Sequence, residues 1–579
     1  MAVPAVLAVV VPLAVVGQAD ASSVTPSPRA GAPTGRVVAA GTSSPHALPP
    51  RVHNVVVPAV TGAQRATLSQ RSAPRRAVAA RQAQGGKQAK PAQLVGHVRS
   101  RIASGFSMLG VTWDHGTVDA STVQVAVRTH ARNGWTPWTS VDVDPDEGPA
   151  PGEDSSLRDG TAPLYVGQAD AVEVDVYDAS GRRPTGLTVA AIDPGTSGYD
   201  ATAATSAAPG SSAKGGTTST ADTAKDGLPT MPRIVTRKQW GADESLGDTC
   251  WSPRFGSTFK AVFVHHTAGS NTYTRRESAS IVRGIYAYHT QSRGWCDIGY
   301  NFLIDRYGTV YEGRAGGIRK PVRGAHSGDY NVNSTGISLM GEFTNTMPTQ
   351  AMRSALVRLV AWRLGTAYRS GVGFAYINGK RFAQISGHRD AMATACPGQM
   401  VYDWLPTLRR KVHKRLDQFS SVIERHWVHR GGAKGALGPV RIGEVASDGG
   451  RHTTFTKARS YFKKGRRVTL YPTPLLTAYL ATGETSGELG YPQSRLHRPA
   501  KGLSGVFEGG RLYWSDKTGA HVVLSGKVLV RYRHLHGPAG RLGFPKTDLR
   551  STKAGSSARF QRGTITYDKS TGRTTVSYR

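Results

Sequence analysis

Three cysteines in 579 residues, Cys250, Cys296 and Cys396, are too few for a disulfide scaffold. No stretch after the N-terminus approaches the ~18 consecutive apolar residues of a membrane helix, so no membrane span is expected once the N-terminus has been processed. Acid is scarce as well. The chain has 39 Asp+Glu against 73 Lys+Arg, a formal net charge of +34. Such an excess predicts a polyanionic partner or surface. No helix-turn-helix, zinc-finger or RNA-binding signature occurs, which argues against nucleic acid. The anionic, phosphate-rich polymers of a Gram-positive wall are the other polyanion that fits the charge.

The length exceeds one domain and suits two or three. Ala2 to Val16 is an uninterrupted apolar run followed by Ala19-Asp20-Ala21, the small-x-small pattern of a cleaved export signal. A signal peptide is therefore expected over 1–21, although no Lys or Arg precedes the run. Residues 22–94 are rich in Ala, Arg, Pro, Ser and Gln and are expected to be disordered, since they offer little apolar surface to bury. Over 95–195 the pattern becomes strand-like. Val123 to Arg128 and Val172 to Val176 alternate at period two, as half-buried strands do. A β-sandwich-like domain is expected, with Trp135 and Trp138 as core or edge packing more than as a sugar grip. Residues 196–230, of Thr, Ala, Ser and Gly, read as a flexible linker. Residues 231–413 mix buried strands (259–265 and 299–305) with amphipathic helices (275–290 and 349–363). On the second helix Ala351, Ala355, Leu359 and Trp362 share a face. That mixture predicts an α/β domain with a central sheet flanked by helices.

The last part, 414–579, repeats. Leu437, Leu489 and Leu542 in Leu-Gly-Pro or Leu-Gly-aromatic-Pro motifs are spaced by 52 and 53 residues, as are Phe455, Phe507 and Phe560, and Trp427, Tyr479 and Tyr532. Three markers in one register predict an array of small β-rich units whose aromatics complete a shared core. Residues 411–579 hold 31 Lys+Arg and 10 Asp+Glu, so positive charge concentrates there.

Chemistry concentrates in the α/β domain. His265 ends an apolar strand in AVFVHHTAG, and His388 and Cys396 stand in ISGHRDAMATACPG. Two imidazoles and a thiolate form a three-ligand Zn2+ site with a fourth position open for water, the arrangement of a hydrolase. With Cys396 as a ligand, Cys250 and Cys296 remain as one possible disulfide, which an oxidising compartment would allow. Spacing alone leaves their pairing open. His266, next along the strand, should point to the opposite face, and His289 reads as a satisfied core group.

IVTRKQWGA, FVHHTAG, RGWCDIGYNFLID, YEGR, GAHSGDYNVNSTGISLMGEF, SGHRD and TACPG resemble the peptidoglycan recognition protein family, which is related to phage lysozyme-type amidases. The likeness covers about 180 residues. It implies a zinc-dependent N-acetylmuramoyl-L-alanine amidase, cutting the amide between the muramic acid lactyl group and the first residue of the stem peptide. It also implies His265, His388 and Cys396 as metal ligands and Tyr300 as the catalytic tyrosine. Thr394, the second catalytic candidate as a weaker hydrogen-bond donor, matches a position that is Thr in the animal branch and Lys in the phage branch. His326, Arg314 and Asn331 match cleft positions and are the substrate-binding candidates, with a structural role the equal alternative for His326. No Glu stands where a general base could be assigned. The C-terminal motifs resemble LGFP repeats of actinobacterial cell-wall proteins, which implies wall binding. A secreted, wall-associated amidase acting on peptidoglycan is the expectation, with a non-catalytic peptidoglycan receptor or scaffold as the alternative.

Overall fold

The structure is a computed structural model, and it describes residues 47–70, 92–143, 148–149, 157–203, 227–247 and 252–579. The expected signal peptide lies outside the described residues, as do most of the basic stretch that follows it and Cys250.

The N-terminal domain is one antiparallel sheet bent over itself. Its main strands are β1 (Arg51–Val56), β2 (Gln93–Asp114), β3 (Val123–Ala131), β4 (Leu164–Asp178) and β5 (Thr188–Asp193), in the order β1-β5-β2-β4-β3. β2 pairs with β4 from Gln93 to Leu109, with register shifts along the way, and its later part, Met108 to Thr112, also pairs with β5. Bulges of this kind bend a strand and raise its twist. The two halves therefore close on a shared core, with Val125, Val127, Val174 and Val176 in one cluster with Leu109, Val111, Trp113 and Val189. Arginine side chains pack on the rings of Trp135 and Trp138. The Arg99 and Arg128 guanidinium groups lie 4.6 and 4.9 Å from the Trp135 ring centre, and Arg128 lies 5.1 Å from that of Trp138.

Two expectations need correction here. Disorder was expected over 22–94, yet Arg51–Val56 forms the edge strand β1. The reason is that Val57 buries completely against Leu187 and Gly96, and one anchored valine run offsets the ordering of a short segment. The linker over 196–230 also begins ordered. A helix spans Gly198–Ala203, and Asp200 pairs with the buried Arg283 at 2.6 Å.

The central domain is built on a mixed sheet. Its strands are β6 (Ile234–Val235), β7 (Ala261–His266), β8 (Phe302–Ile304), β9 (Val310–Glu312), β10 (Ser334–Leu339) and β11 (Ile385–Gly387), in the order β11-β7-β10-β8-β9-β6. Neighbours are parallel except β8 and β9. The strands at its centre, β7, β8 and β10, are buried along their whole length, as strands covered on both faces are. Helices α2 (Gln350–Thr366) and α3 (Gln399–Leu416) pack against Val262, Val264, Ile337 and Leu339. Thr349 caps α2 by accepting from the Met352 N–H at 3.2 Å. The buried stripe of α2 runs through Met352, Ala355 and Leu359, while Ala351, expected inside, is exposed.

Helix α1 (Glu277–Ala287) runs into a π turn, Tyr288–Ser292, and joins the central domain to the N-terminal one. Ile281, Val282, Ile285 and Tyr288 share a cluster with Met108, Tyr165, Ala190 and Ile192 of the β domain. Arg283 is buried and donates to the carbonyls of Pro194, Gly195 and Trp240. Tyr288 donates to the Thr161 carbonyl at 2.8 Å. Glycine is needed below it, since a Cβ at Gly110 would come within 2.3 Å of the Tyr288 ring.

The C-terminal part is three related units, each a short helix and a small antiparallel sheet. Every unit holds the same ring stack: Trp427 with Phe455, Tyr479 with Phe507, and Tyr532 with Phe560. In each, the helix aromatic donates to a carbonyl 11 residues on, at Gly438, Gly490 and Gly543, over 2.8, 2.6 and 2.7 Å. A third ring comes from the preceding unit. Tyr461 packs on Tyr479, Tyr513 on Tyr532, and in the first unit the central domain's Tyr368 packs on Trp427. The central domain thus caps the array.

Candidate metal centre and cleft

Alternation along β7 splits its two histidines. Val262 and Val264 face α2 and α3, while Ala261 and Phe263 face a separate cluster on the other side. His265 belongs to the second set and His266 to the first. His388 opens a short helix, His388–Ala391, directly after β11, which pairs in parallel with β7. Two parallel strands therefore deliver both imidazoles to one end of the sheet. Cys396 arrives on the loop before α3.

The three come together. The ligand atoms of His265, His388 and Cys396 all lie within 4.8 Å of one another, and all three residues are buried. Cys396 Sγ stands 3.7 Å from His265 Nδ1, and the His265 and His388 rings are 4.4 Å apart. Zinc fits this donor set. Two nitrogens and a sulfur are its usual ligands, and tetrahedral bonds of about 2.0–2.3 Å put ligand atoms about 3.5 Å apart. Burial holds His265 well below the usual histidine range, and the neighbouring His388 and His326 add to this. Its imidazole is therefore neutral, the form that binds a metal.

Neighbouring groups orient the cluster. His265 Nε2 faces His326 Nδ1 at 3.1 Å, and that nitrogen also lies 2.9 Å from Ser327 Oγ. If Nδ1 of His265 is the ligand atom, its proton sits on Nε2 and is donated to His326. Burial lowers His326 to about 3, so it is a neutral acceptor. The His266 N–H donates to Cys396 Sγ at 3.4 Å, and Thr394 Oγ1 accepts from the Cys396 N–H at 3.1 Å. The Tyr300 ring is buried 5.4 Å from that of His265.

The other expected residues distribute around this core. Asn331 is fully buried. Its Oδ1 accepts from the N–H groups of His326 and Ser327 at 2.7 and 2.9 Å, which fixes the loop that carries His326. Arg314 is buried and donates to the Ile298 carbonyl at 3.3 Å. His289 stacks on Trp295 at 4.3 Å and its Nδ1 accepts from the Gly299 N–H. Its Nε2 finds no partner among the described residues, so it is less fully satisfied than expected. His266 stays outside the cluster, with Nδ1 accepting from the Phe343 N–H at 3.4 Å. Cys296 is disulfide-bonded, and Cys396 is not. Sequence reasoning missed Asp142, whose carboxylate reaches within 3.9 Å of His266 Nε2 from the N-terminal domain. No local signal marks a contact made across more than a hundred residues.

Three family matches fall on the three regions. The N-acetylmuramoyl-L-alanine amidase family matches residues 255–399. A family described as Rv3811 N-terminal galactose-binding domain-like matches 60–211, and the LGFP repeat matches 489–540. Peptidoglycan recognition protein 1 of Bos taurus is 39% identical over 136 residues, which cover 23% of this chain and 67% of that protein. The chain belongs to the peptidoglycan recognition protein family. Another member, peptidoglycan-recognition protein SC2 of Drosophila simulans, is 37% identical over 123 residues, 21% of this chain. Here the chain spans 62% of the relative's length. Among solved structures, wild-type Drosophila PGRP-LB aligns with 33% of this chain and 97% of its own at 26% identity, with a TM-score of 0.25. The endolysin amidase LysCS from Clostridium intestinale aligns with 31% of this chain and 96% of its own at 22% identity, with a TM-score of 0.22.

Proposed function

We propose that this member of the family is a secreted, zinc-dependent N-acetylmuramoyl-L-alanine amidase. It hydrolyses the amide between the muramic acid lactyl group and L-Ala of the peptidoglycan stem, and its C-terminal repeats bring it to the wall. The observation that carries this reading is the convergence of His265, His388 and Cys396 from three segments into one buried cluster.

His265, His388 and Cys396 would hold the metal. Bound zinc supplies Lewis acidity toward the scissile carbonyl and an activated water. His326 fixes the His265 ring and its tautomer, as outer partners of metal-bound histidines do. The backbone N–H of His266 stabilises charge on the Cys396 sulfur, and Thr394 holds the loop behind it. Tyr300 donates its hydroxyl proton in a hydrogen bond to the oxyanion that develops on the carbonyl, or orients the water. The repeats carry most of the net positive charge and are drawn to anionic wall polymers.

The test is digestion of purified peptidoglycan with the mature protein, with and without a zinc chelator. The expected products are stem peptides with free L-Ala amino ends, absent with chelator and restored by zinc. Co-sedimentation with the wall without any such ends would overturn the amidase and leave a peptidoglycan receptor.

A further inference from the structure

The three C-terminal units share one ring stack, so a feature present in only one of them is not required by their fold. The first unit has such a feature at the tip of a hairpin. Its strands Arg459–Lys463 and Arg466–Leu470 are joined by Lys464-Gly465, which makes the tip Lys463-Lys464-Gly465-Arg466-Arg467. In the same register the second unit has Ser515-Asp516-Lys517-Thr518-Gly519 and the third has Asp568-Lys569-Ser570-Thr571-Gly572. Each of those balances one lysine with one aspartate.

The cations of the first tip are crowded. Lys463 and Arg466 are direct partners across the hairpin, and Arg467 stands opposite Phe462. Like charges facing one another destabilise a strand pair. Lys464 adds strain, with φ +47° before Gly465 at +73°. Those are the two left-handed positions of a tight hairpin turn, where Asn, Asp or Gly normally comes first. The neighbouring hairpin of the same sheet makes this turn with Asp448-Gly449, at +46° and +73°. Stability alone would favour an aspartate at 464 as well.

Little in the protein offsets this charge. Lys463 pairs with Glu508 of the second unit at 2.9 Å, and Arg466 donates to the Gln493 carbonyl at 3.2 Å. Among the described residues no carboxylate pairs with Lys464, Arg466, Arg467 or Arg430. All four are exposed. The charge continues onto the helix Val422–His429, whose Ile423 and Trp427 share a cluster with Phe462 of the hairpin. Burial, and then the charge of Arg467, Arg430 and His429, holds His426 below the usual histidine range. Cations of hairpin and helix therefore surround one imidazole. In place of Arg430 the other units have Thr482 and Leu535. A guanidinium fork matches a pair of phosphate oxygens, and a row of cations suits a polymer of regularly spaced charge better than a single ion. The same helix is tied to the central domain, where Tyr368 packs on Trp427.

We propose that this basic face of the first repeat is the docking site for a linear phosphodiester polymer of the wall, and that a polymer held there keeps the α/β domain against the peptidoglycan. The proposal rests on the repeats being the wall-targeting part, as proposed above.

The test uses the full chain with Lys464→Glu and Arg467→Glu together. Lys546→Glu with Arg550→Glu, both exposed on the third unit, is the charge-matched control. Affinity for poly(glycerol phosphate) is measured at several salt concentrations, with co-sedimentation on polymer-bearing sacculi alongside. The tip variant is expected to bind the polymer about tenfold more weakly or worse, with a log–log salt slope shallower by about 2. The control should stay within about threefold of wild type. Lys464→Arg with Arg467→Lys keeps both charges and should bind as wild type does. Equal weakening in tip variant and control overturns the docking site, since the charge then acts diffusely. A comparable loss in the charge-keeping variant overturns it too, because structure rather than charge is then responsible. Polyglutamate bound as tightly, with the same dependence on the tip, overturns the phosphodiester as ligand. Single-stranded DNA bound more tightly than the glycerol polymer overturns the wall as partner. If tip variant and wild type sediment equally with sacculi, the site falls and wall targeting stands. If wild type stays in the supernatant, wall targeting falls and takes the site with it.

Discussion

His265 has two ring nitrogens with separate tasks, and its neighbours decide which does which. Nδ1 faces Cys396 and Nε2 faces His326. Replacing His326 by Ala should therefore lower zinc affinity about 10–100-fold, as loss of an outer partner does. His326→Gln, which keeps an acceptor, should recover part of it; competition with a chelator of known affinity measures both. Cys396→Ser removes the thiolate and should abolish stem release while co-sedimentation with peptidoglycan persists. Release at the wild-type rate would sink the ligand assignment. At this scale the sequence could be read well, because each ligand stands in a short motif with its own local geometry. Asp142 could not be read, because nothing in its own segment refers to His266.

The joint between the central domain and the first repeat shows what elements add. Tyr368 ends α2's extension and completes the ring stack of a unit that begins some fifty residues later. Its hydroxyl donates to the buried Glu444 at 2.6 Å, and Ser421 donates to the same carboxylate at 2.5 Å. Next to them Glu424 closes the capping box of the helix Val422–His429. Burial, reinforced by the charge of Glu444, lifts Glu424 from 4.5 to about 7. A raised carboxylate is held as the acid in the folded state, so its contribution is full below about pH 4.5 and is lost as pH rises through 7. The size is up to about 3 kcal/mol. Thermal unfolding of this joint should fall in midpoint between pH 4.5 and 7, and Glu424→Gln should flatten that slope. A slope unchanged by the substitution would assign it to another group. The 52- and 53-residue spacings announced the repeats but not their cap. Tyr368 lies outside the repeat register, and only packing reveals that it does for Trp427 what Tyr461 does for Tyr479.

For the whole molecule, charge and docking act at different ranges. The +34 formal charge acts over about 8 Å at physiological ionic strength. Binding to sacculi that keep their anionic polymers should weaken steeply between 50 and 500 mM salt, an estimate of about one order of magnitude or more. Sacculi stripped of those polymers should show a shallower dependence. Equal slopes for the two would show that the repeats read something other than charge. Domain docking is a short-range matter of packed apolar surface. Tyr288 beneath Gly110 and Arg283 among backbone carbonyls turn what composition reads as a loose connection into a joined pair of domains. Among the described residues no helix is long and apolar enough to cross a membrane.

The sequence by itself determined the candidate cluster of His265, His388 and Cys396, the family, the repeat register and the concentration of charge, because each is written in local spacing or in a sum over residues. Tertiary structure alone decided that His326 orients His265, that Tyr368 caps the repeats and that Asp142 reaches His266. Those are meetings of segments far apart in the chain, selected by the fit of buried surfaces, and no local pattern records them.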